Sequence, residues 1–305
     1  MGSHRGRDDR QMITPKQLLY DIVKNTLGDV QPIAKEEILK AANALFCERN
    51  DWGSKALMIF CDTYAKRYHN MNYDPASNGE YWILQQIATA SPQVIFDVGA
   101  NEGNWSLVAS KLFRTATIHA FELVPTTFEK FSALTAGRER IVGHNVGLAD
   151  EAKAVEVNVY AASTGYSSLF AYPQHGLATK VSAQTRRADT YIAEKNITHI
   201  DFLKIDTEGA EPLVLKGFGS YLSDDFIDVI QFEYGTMNSR TQFFLQDFYH
   251  LFHAKNFSLG KLYPHGVEFT PYDTTDAAMY DAYFGPNYIA VSNKRPDLIE
   301  RLKAK

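Results

Sequence analysis

The sequence has little cysteine, no surplus of positive charge and no long apolar run. Of its 305 residues only Cys47 and Cys61 are cysteines, and because they lack CxxC spacing they provide no zinc-type cluster. Lysine and arginine number 31 against 36 aspartates and glutamates, a formal net charge of −5. No basic excess is therefore available to meet nucleic-acid phosphates. Without a run of about 18 apolar residues, we expect no membrane-spanning helix.

The N-terminal part of the chain is expected to be helical. The opening sequence MGSHRGRDDR has no apolar segment after its charges, so it does not resemble a signal peptide, and a cytoplasmic setting is the default expectation. We expect residues 1–13 to be a tag-like or disordered terminus. From 14 to 90 apolar residues recur at helical spacing, including a helix over 56–68. The sequence therefore predicts a helical extension over 14–90, with a second domain over 91–305.

Short apolar runs alternate with helical stretches from residue 93 onward. The first run, Val94–Val98, stops at Gly99, and similar runs occupy 117–121, 141–146, 201–205 and 229–232. Such runs are typical of strands buried on both faces of a parallel sheet, and their alternation with helices predicts a doubly wound α/β fold. The interval 154–188 does not follow this pattern. It contains alternating valines and a polar stretch, which suit the wall of an acceptor site and a flexible connector equally well.

A glycine-containing turn follows the first apolar run, in VIFDVGANEGNWS. Gly99 and Gly103 let the backbone turn tightly and approach a ligand closely, and the helix that follows offers free N–H groups at its N-terminus. Glu122 ends the next predicted strand, where an acid can accept both hydroxyls of a ribose. Together these features predict a nucleoside-containing cofactor.

The same turn contains too few glycines for a dinucleotide. In the G-x-G-x-x-G pattern the second and third glycines let the backbone approach the pyrophosphate, and Asn101 and Asn104 stand at those positions here. Asp97 is unfavourable beside a diphosphate, but it suits the cationic end of S-adenosylmethionine. The turn therefore favours S-adenosylmethionine over NAD, and an NAD-dependent oxidoreductase is the less favoured alternative.

Four stretches of the sequence resemble the FkbM family of S-adenosylmethionine-dependent methyltransferases: FDVGANEGNWS, AFELVP, FLKIDTEGAEPLVLKG and QFEYG. The resemblance spans about residues 79–291. It implies a class I methyltransferase fold, which is a Rossmann-like doubly wound sheet of seven strands with the last antiparallel. It also implies methyl transfer, usually to a hydroxyl of a sugar, glycolipid or polyketide-type metabolite. The helical extension lies outside the family core, and we expect it to be a lid or a dimerisation element.

We expect a set of cofactor contacts from the resemblance and from the place of each residue in the fold. The expected cofactor-binding residues are Glu80, Asp97, Gly99, Ala100, Asn101, Gly103, Asn104, Glu122, Leu123, Asn145 and Gly147.

A second group of acids lies at the ends of two later apolar runs. Asp206 follows the run 202–205 and Glu233 ends the next run, so both should project from the carboxyl edge of the sheet, where ligands bind in open α/β folds. A hydroxyl is a poor nucleophile while protonated, so a base or a metal should assist it. We predict Asp206 as the base or acceptor orienter, Glu233 as the second candidate and Glu208 as an assistant. Glu211, near a helix start, is expected to be structural.

The role of a metal stays open at this point, because the same three acids offer the hard oxygen ligands that Mg²⁺ prefers. The sequence predicts an O-methyltransferase that uses S-adenosylmethionine and acts on a hydroxylated small molecule such as a sugar or a glycosylated or polyketide-type compound. N-methylation of a small amine is the alternative, since the cofactor half would be identical. A nucleoside-sensing domain without chemistry is the non-enzymatic alternative. Expected partners are a small-molecule acceptor and no nucleic acid, with a homo-oligomer left open.

Overall fold

The computed structural model describes residue 50 and residues 52–160, 163–171, 177–271 and 285–304. The chain divides into two compact units, residues 1–63 and residues 64–305. Helix α1 spans Trp52–Tyr68, so the helix predicted over 56–68 is observed and begins at Trp52. The predicted helices before residue 50 lie outside the described residues. None of the helices in the described part of the chain combines the length and the hydropathy needed to cross a bilayer.

Helices and strands alternate through the second unit. The helices are α2 (Glu80–Ala88), α3 (Asn104–Leu112), α4 (Pro125–Leu134), α5 (Ala188–Lys195), α6 (Glu211–Gly217), α7 (Asn238–Thr241), α8 (Leu245–Ala254) and α9 (Pro296–Leu302). The strands of the main sheet are β1 (Val94–Val98), β2 (Thr117–Phe121), β3 (Ile141–His144), β8 (Ile200–Ile205), β9 (Ile227–Glu233), β10 (Phe257–Tyr263), β11 (Gly266–Phe269) and β12 (Asn287–Ser292). A small sheet contains β4 (Gly147–Leu148), β5 (Ala154–Tyr160), β6 (Ser163–Ser168) and β7 (Thr179–Arg186).

The main sheet has the strand order β11-β10-β12-β9-β8-β1-β2-β3. Strands β3, β2, β1, β8 and β9 are parallel, and β12 is inserted antiparallel to both β9 and β10. This is the class I methyltransferase topology, so the predicted fold class is confirmed. One detail differs, because the sheet has eight strands where seven are expected. The additional strand β11 pairs with β10 as a hairpin, and its four residues are too short to give a recognisable alternation in the sequence.

The apolar runs form strands because both faces of the sheet are covered. In β1, Ile95 belongs to one core and Phe96 to the other. Helices α5, α6 and α8 cover the face of Phe96, and α2, α3 and α9 cover the face of Ile95. Helix α2 is part of this packing, since its Ile83 and Leu84 are fully buried. The domain boundary expected at residue 90 stays a prediction.

Strands β5, β6 and β7 of the small sheet lie in the interval 154–188, for which the sequence does not decide between an acceptor-site wall and a connector. Its strand order is β4-β7-β5-β6, and β5 pairs antiparallel with both β6 and β7. Val157 and Ala183 pack with Val124 in a hydrophobic cluster that is separate from the two main cores. Because Val124 follows the end of β2, this cluster attaches the small sheet to the carboxyl edge of the main sheet.

Candidate active site at the carboxyl edge of the sheet

A cavity opens at the carboxyl edge of the main sheet, between the small sheet and β1. The strand order reverses at β1, and open α/β sheets bind ligands at such a reversal. Its walls come from the loops after β1, β2 and β8 and from β5 and β6 of the small sheet. Several residues predicted from the sequence line it: Gly99, Asn101, Glu122, Leu123, Gly147, Asp206 and Glu208. The cavity therefore brings together the expected cofactor turn and two of the expected catalytic acids.

The glycine turn, residues 99–103, owes its two glycines to close packing. Gly99 has φ +83°, and a Cβ placed on it would lie 1.8 Å from the carbonyl oxygen of Asp206. Gly103 has φ +91°, and a Cβ there would lie 2.8 Å from the ring of Phe131. Side chains at these positions would combine a strained backbone with an overlap. The amides of Gly99 and Ala100 both donate to the Phe121 carbonyl, at 2.9 and 3.0 Å, which fixes the turn against β2.

Glu122 is anchored by the main chain on both sides. Its Oε2 accepts a hydrogen bond from the Asn101 amide at 2.9 Å, and its Oε1 accepts one from the Val124 amide at 2.8 Å. Burial raises the pKa of Glu122 to about 7, although both backbone hydrogen bonds oppose the shift. Each carboxylate oxygen keeps a lone pair for a further donor. The two remaining acceptor positions suit the two hydroxyl groups of a ribose.

The side-chain amide of Asn145 holds the main chain at Glu122 in place. Its Nδ2 donates to the backbone carbonyl of Glu122 at 3.0 Å, while Gly147 packs against Leu123, where a Cβ would lie 3.0 Å from Cδ1 of that side chain. Asn104 is the exposed first residue of α3, and Ala100 is buried in the core. Contacts of these residues with a cofactor stay predictions.

Asp97 lies beneath the glycine turn and is fully buried. Its Oδ2 accepts a hydrogen bond from the Ser106 hydroxyl at 2.6 Å, and its Oδ1 lies 3.7 Å from Nζ of Lys204. Burial raises the pKa of Asp97 against the opposing effect of Lys204. The nearest cation to this acid is therefore a lysine of the protein itself. The expected contact between Asp97 and the cationic end of a cofactor stays a prediction.

Three carboxyl groups meet beside the cavity. Oxygens of Asp206, Glu208 and Glu233 lie within 4.8 Å of one another. Burial opposes ionisation of Asp206, but the Lys204 ammonium at 2.9 Å and the neighbouring Glu233 hold the pKa of Asp206 below its usual range. Burial and the neighbouring carboxylates, Asp206 first, raise the pKa of Glu233 well above its usual range. Asp206 is therefore the more readily ionised member of the pair.

The acidic turn, residues 206–210, is shaped by side chains from other segments. Glu211 is buried, and its Oε1 accepts hydrogen bonds from the amides of Thr207 and Gly209 at 2.9 and 3.2 Å. Glu208 adopts the left-handed conformation with φ +55°, and its carbonyl accepts a hydrogen bond from the Ser168 hydroxyl at 2.7 Å. The structural role expected for Glu211 agrees with these contacts. Ser168 was not identified as a support for Glu208, because nothing in the sequence pairs β6 with this turn.

Glu80 belongs to a buried network of amides rather than to the lining of the cavity. Its Oε1 accepts hydrogen bonds from Asn78 and Asn287 at 2.8 and 3.1 Å, and its Oε2 accepts one from Gln231 at 3.0 Å. These partners connect the start of α2 to β9 and β12. The expected role of Glu80 at one side of the cofactor pocket stays a prediction.

The residues of the cavity fit an adenosine with a cationic amino acid tail. Among the described residues, the buried Oδ1 of Asn101 and the buried Oγ of Ser167 have no hydrogen-bond partner, and both residues line the cavity. A buried polar atom without a partner is unfavourable unless a ligand supplies one. Asn101 Oδ1 has the chemistry to accept from an ammonium group and Glu122 from ribose hydroxyls, and Leu123 with Val157 offers apolar surface; these contacts stay predictions.

Comparisons with known proteins point to one family. A family model described as "Methyltransferase FkbM domain" matches residues 97–259, which is more than half of the chain. Among curated proteins, "Methyltransferase 1" of Beauveria bassiana is 28% identical over 155 residues, which cover 45% of this chain and 61% of that protein. The "31-O-demethyl-FK506 methyltransferase FkbM" of Streptomyces tacrolimicus is 30% identical over 155 residues, which cover 41% of this chain and 58% of that protein. The chain thus spans about six tenths of the length of these relatives.

Solved structures of methyltransferases align at low similarity. The methyltransferase FkbM of Methylobacillus flagellatus aligns with 14% identity and a TM-score of 0.39, over 66% of this chain and 44% of that one. The plantazolicin methyltransferase BpumL, solved with a substrate analogue and S-adenosylhomocysteine (SAH), aligns with 9% identity and a TM-score of 0.39, over 85% of this chain and 98% of that one.

Proposed function

This chain belongs to the FkbM methyltransferase family, and from that premise we propose that it transfers the methyl group of S-adenosylmethionine to a hydroxyl of a small molecule. The proposed acceptor is a sugar or a glycosylated or polyketide-type compound. The name of the Streptomyces tacrolimicus relative, a 31-O-demethyl-FK506 methyltransferase, supports O-methylation of that kind of compound. N-methylation of a small amine is the alternative that the experiments below must separate from it.

One observation carries the proposal: a single cavity is lined by a ribose-type acid and by one member of a close pair of acids. Glu122 and Asp206 both line the cavity, and carboxylate oxygens of Asp206 and Glu233 lie within 4.8 Å of each other. Holding a cofactor and an acceptor in one cavity makes an in-line displacement effectively unimolecular, and such positioning supplies a large part of catalysis.

Each acid has a distinct proposed task. The bound cofactor supplies a methyl group on an electrophilic sulfonium. The carboxylate of Asp206 would accept a hydrogen bond from the acceptor hydroxyl and take its proton as the new O–C bond forms and the methyl–sulfur bond of the donor breaks, which leaves SAH as the second product. Lys204 balances the charge of Asp206, and Glu233 is the less readily ionised member of the pair. Glu208 contributes a second acceptor for the hydroxyl groups of the substrate.

The magnesium site predicted from the sequence stays a prediction. The three carboxyl groups have oxygens close enough for one divalent cation, but a cation bound there would require ionisation of Glu233, whose pKa is raised. We therefore leave a metal out of the proposed mechanism. Dialysis against EDTA, followed by assay with and without added Mg²⁺, tests this choice; loss of turnover that Mg²⁺ restores would contradict it.

Calorimetry tests the cofactor. We expect S-adenosylmethionine and SAH to bind and NAD to give no heat. Tight binding of NAD with no response to the other two would contradict the proposal. An acceptor screen with methyl-labelled S-adenosylmethionine then tests the reaction, using matched alcohols and amines. Label transferred only to amines would favour the alternative.

A further inference from the structure

The charged side chains that line the cavity are all of one sign. Glu122, Asp206 and Glu208 contribute carboxyl groups, and among the described residues no lysine, arginine or histidine lines it. Its remaining polar lining includes neutral groups such as Asn101 and Ser167. A ligand in this cavity therefore meets several acceptors and no cationic donor.

The nearest buried cation, Lys204, already has two carboxylate partners. Lys204 is buried, and its Nζ lies 2.9 Å from Asp206 and 3.7 Å from Asp97. Two carboxylates thus neutralise the one ammonium group before any ligand arrives. An anionic substituent could not use Lys204 without competing with Asp206 and with the fully buried Asp97 for the same ammonium group.

Basic side chains outside the cavity lie behind the small sheet. Lys180 and Arg240 line a separate shallow groove, which shares Leu169 with the cavity. Lys180 is paired with Glu156 at 2.8 Å. These groups could meet a distant part of a long molecule but not a substituent beside the reacting hydroxyl.

We propose that the acceptor of this enzyme carries no phosphate or carboxylate near the hydroxyl that is methylated, so that nucleotide sugars, sugar phosphates and uronic acids are excluded. The selectivity comes from repulsion: an anionic group beside the reacting hydroxyl would lie next to Asp206 and Glu208, with no lysine or arginine among the described lining residues to compensate. Neutral polyols find acceptors in Asp206 and Glu208 and a hydroxyl partner in Ser167. This inference rests on the proposed function and narrows its substrate class.

The test compares matched methyl glycosides with and without an anionic group. Methyl glucoside is set against methyl glucoside 6-phosphate and the methyl glycoside of glucuronic acid, with labelled S-adenosylmethionine as donor. We expect kcat/KM to be about 100-fold lower for each anion. Glu208→Gln, which removes one charge, should reduce that ratio. Equal or better methylation of either anion would overturn the inference.

A second probe keeps the test decisive if glucosides are not acceptors. Inorganic phosphate is titrated into the SAH-loaded protein and followed by phosphorus NMR. We expect no saturable binding to the wild type, and binding in Glu208→Lys. Saturable phosphate binding to the wild type that competes with an acceptor or alters SAH affinity would overturn the inference. Failure of the proposed function would instead appear earlier, as absence of SAH binding in calorimetry.

Discussion

The glycine turn and the acidic turn lie side by side at one cavity and touch where Gly99 packs on the Asp206 carbonyl, but different contacts hold them. The glycine turn is fixed by its own main chain, with amides of Gly99, Ala100 and Asn101 bonded to Phe121 and Glu122. The acidic turn is held by the side chain of Glu211, which directly follows it, and by the side chain of Ser168 in the small sheet. Changes in the first should therefore affect folding and cofactor affinity, whereas changes in the second should affect turnover.

The largest expected effect comes from filling the space at Gly99. In Gly99→Ala the new Cβ would lie 1.8 Å from the Asp206 carbonyl oxygen, so the two turns must separate, and we expect a loss of about 4 kcal/mol in the free energy of unfolding. Gly137→Ala is the matched control, because Gly137 also has positive φ but has nothing within 4 Å; there we expect about 1 kcal/mol. Urea denaturation measures both. Equal losses would show that close packing of the turns is unimportant.

The next effect tests the acid pair. Asp206→Asn removes the proposed proton acceptor, and we expect kcat to fall about 100-fold while the Kd for SAH stays unchanged. Glu233→Gln should behave similarly. Asp150→Asn is the control, because Asp150 also pairs with a lysine, Lys216 at 2.9 Å, but on the surface. Parallel changes in kcat and in SAH affinity would remove the distinction between the two turns.

A pH effect sharpens the comparison from the cofactor side. Ribose hydroxyls donate to the ionised form of Glu122, whose pKa is raised to about 7 by burial. Lowering the pH through that value protonates Glu122 in the free protein, so the affinity for SAH should fall about tenfold between pH 8 and pH 6. Binding at pH 6 should release a proton, which calorimetry in buffers of different ionisation enthalpy detects. A wild-type Kd that does not change over this range would contradict the assignment, and Glu122→Gln should show such a flat profile.

The smallest effect comes from the contact between the two sheets. Ser168→Ala removes the hydrogen bond to the Glu208 carbonyl, and we expect kcat to fall about fivefold with SAH affinity unchanged. Ser167→Ala serves as the comparison, since that hydroxyl has no partner among the described residues and should alter KM for the acceptor. A change in SAH affinity in Ser168→Ala would mean that the small sheet acts on the cofactor side instead.

The sequence predicts the fold around the glycine turn well because its signals are local. Val94–Val98, Gly99 and Glu122 stand in one strand–turn–helix–strand unit, and the strands predicted over Val94–Val98 and 117–121 have the observed bounds. Asp206 and Glu233 could be predicted because parallel strand ends share an edge.

The remaining contacts join segments that are distant in sequence. The amides around Glu80 come from β9 and β12, and the hydroxyl that supports Glu208 comes from β6. Pairings of this kind depend on tertiary packing rather than on local periodicity. The same limit applies to β11, which is too short to recognise before its partner strand is known.

The separate hydrophobic cluster of the small sheet has a consequence for how such enzymes can diversify. Val157 and Ala183 pack on Val124 without joining either main core, so substitutions within this cluster can reshape the small sheet without disturbing the packing of the two main cores. We expect such substitutions to alter which molecules are accepted more than they alter the affinity for the methyl donor.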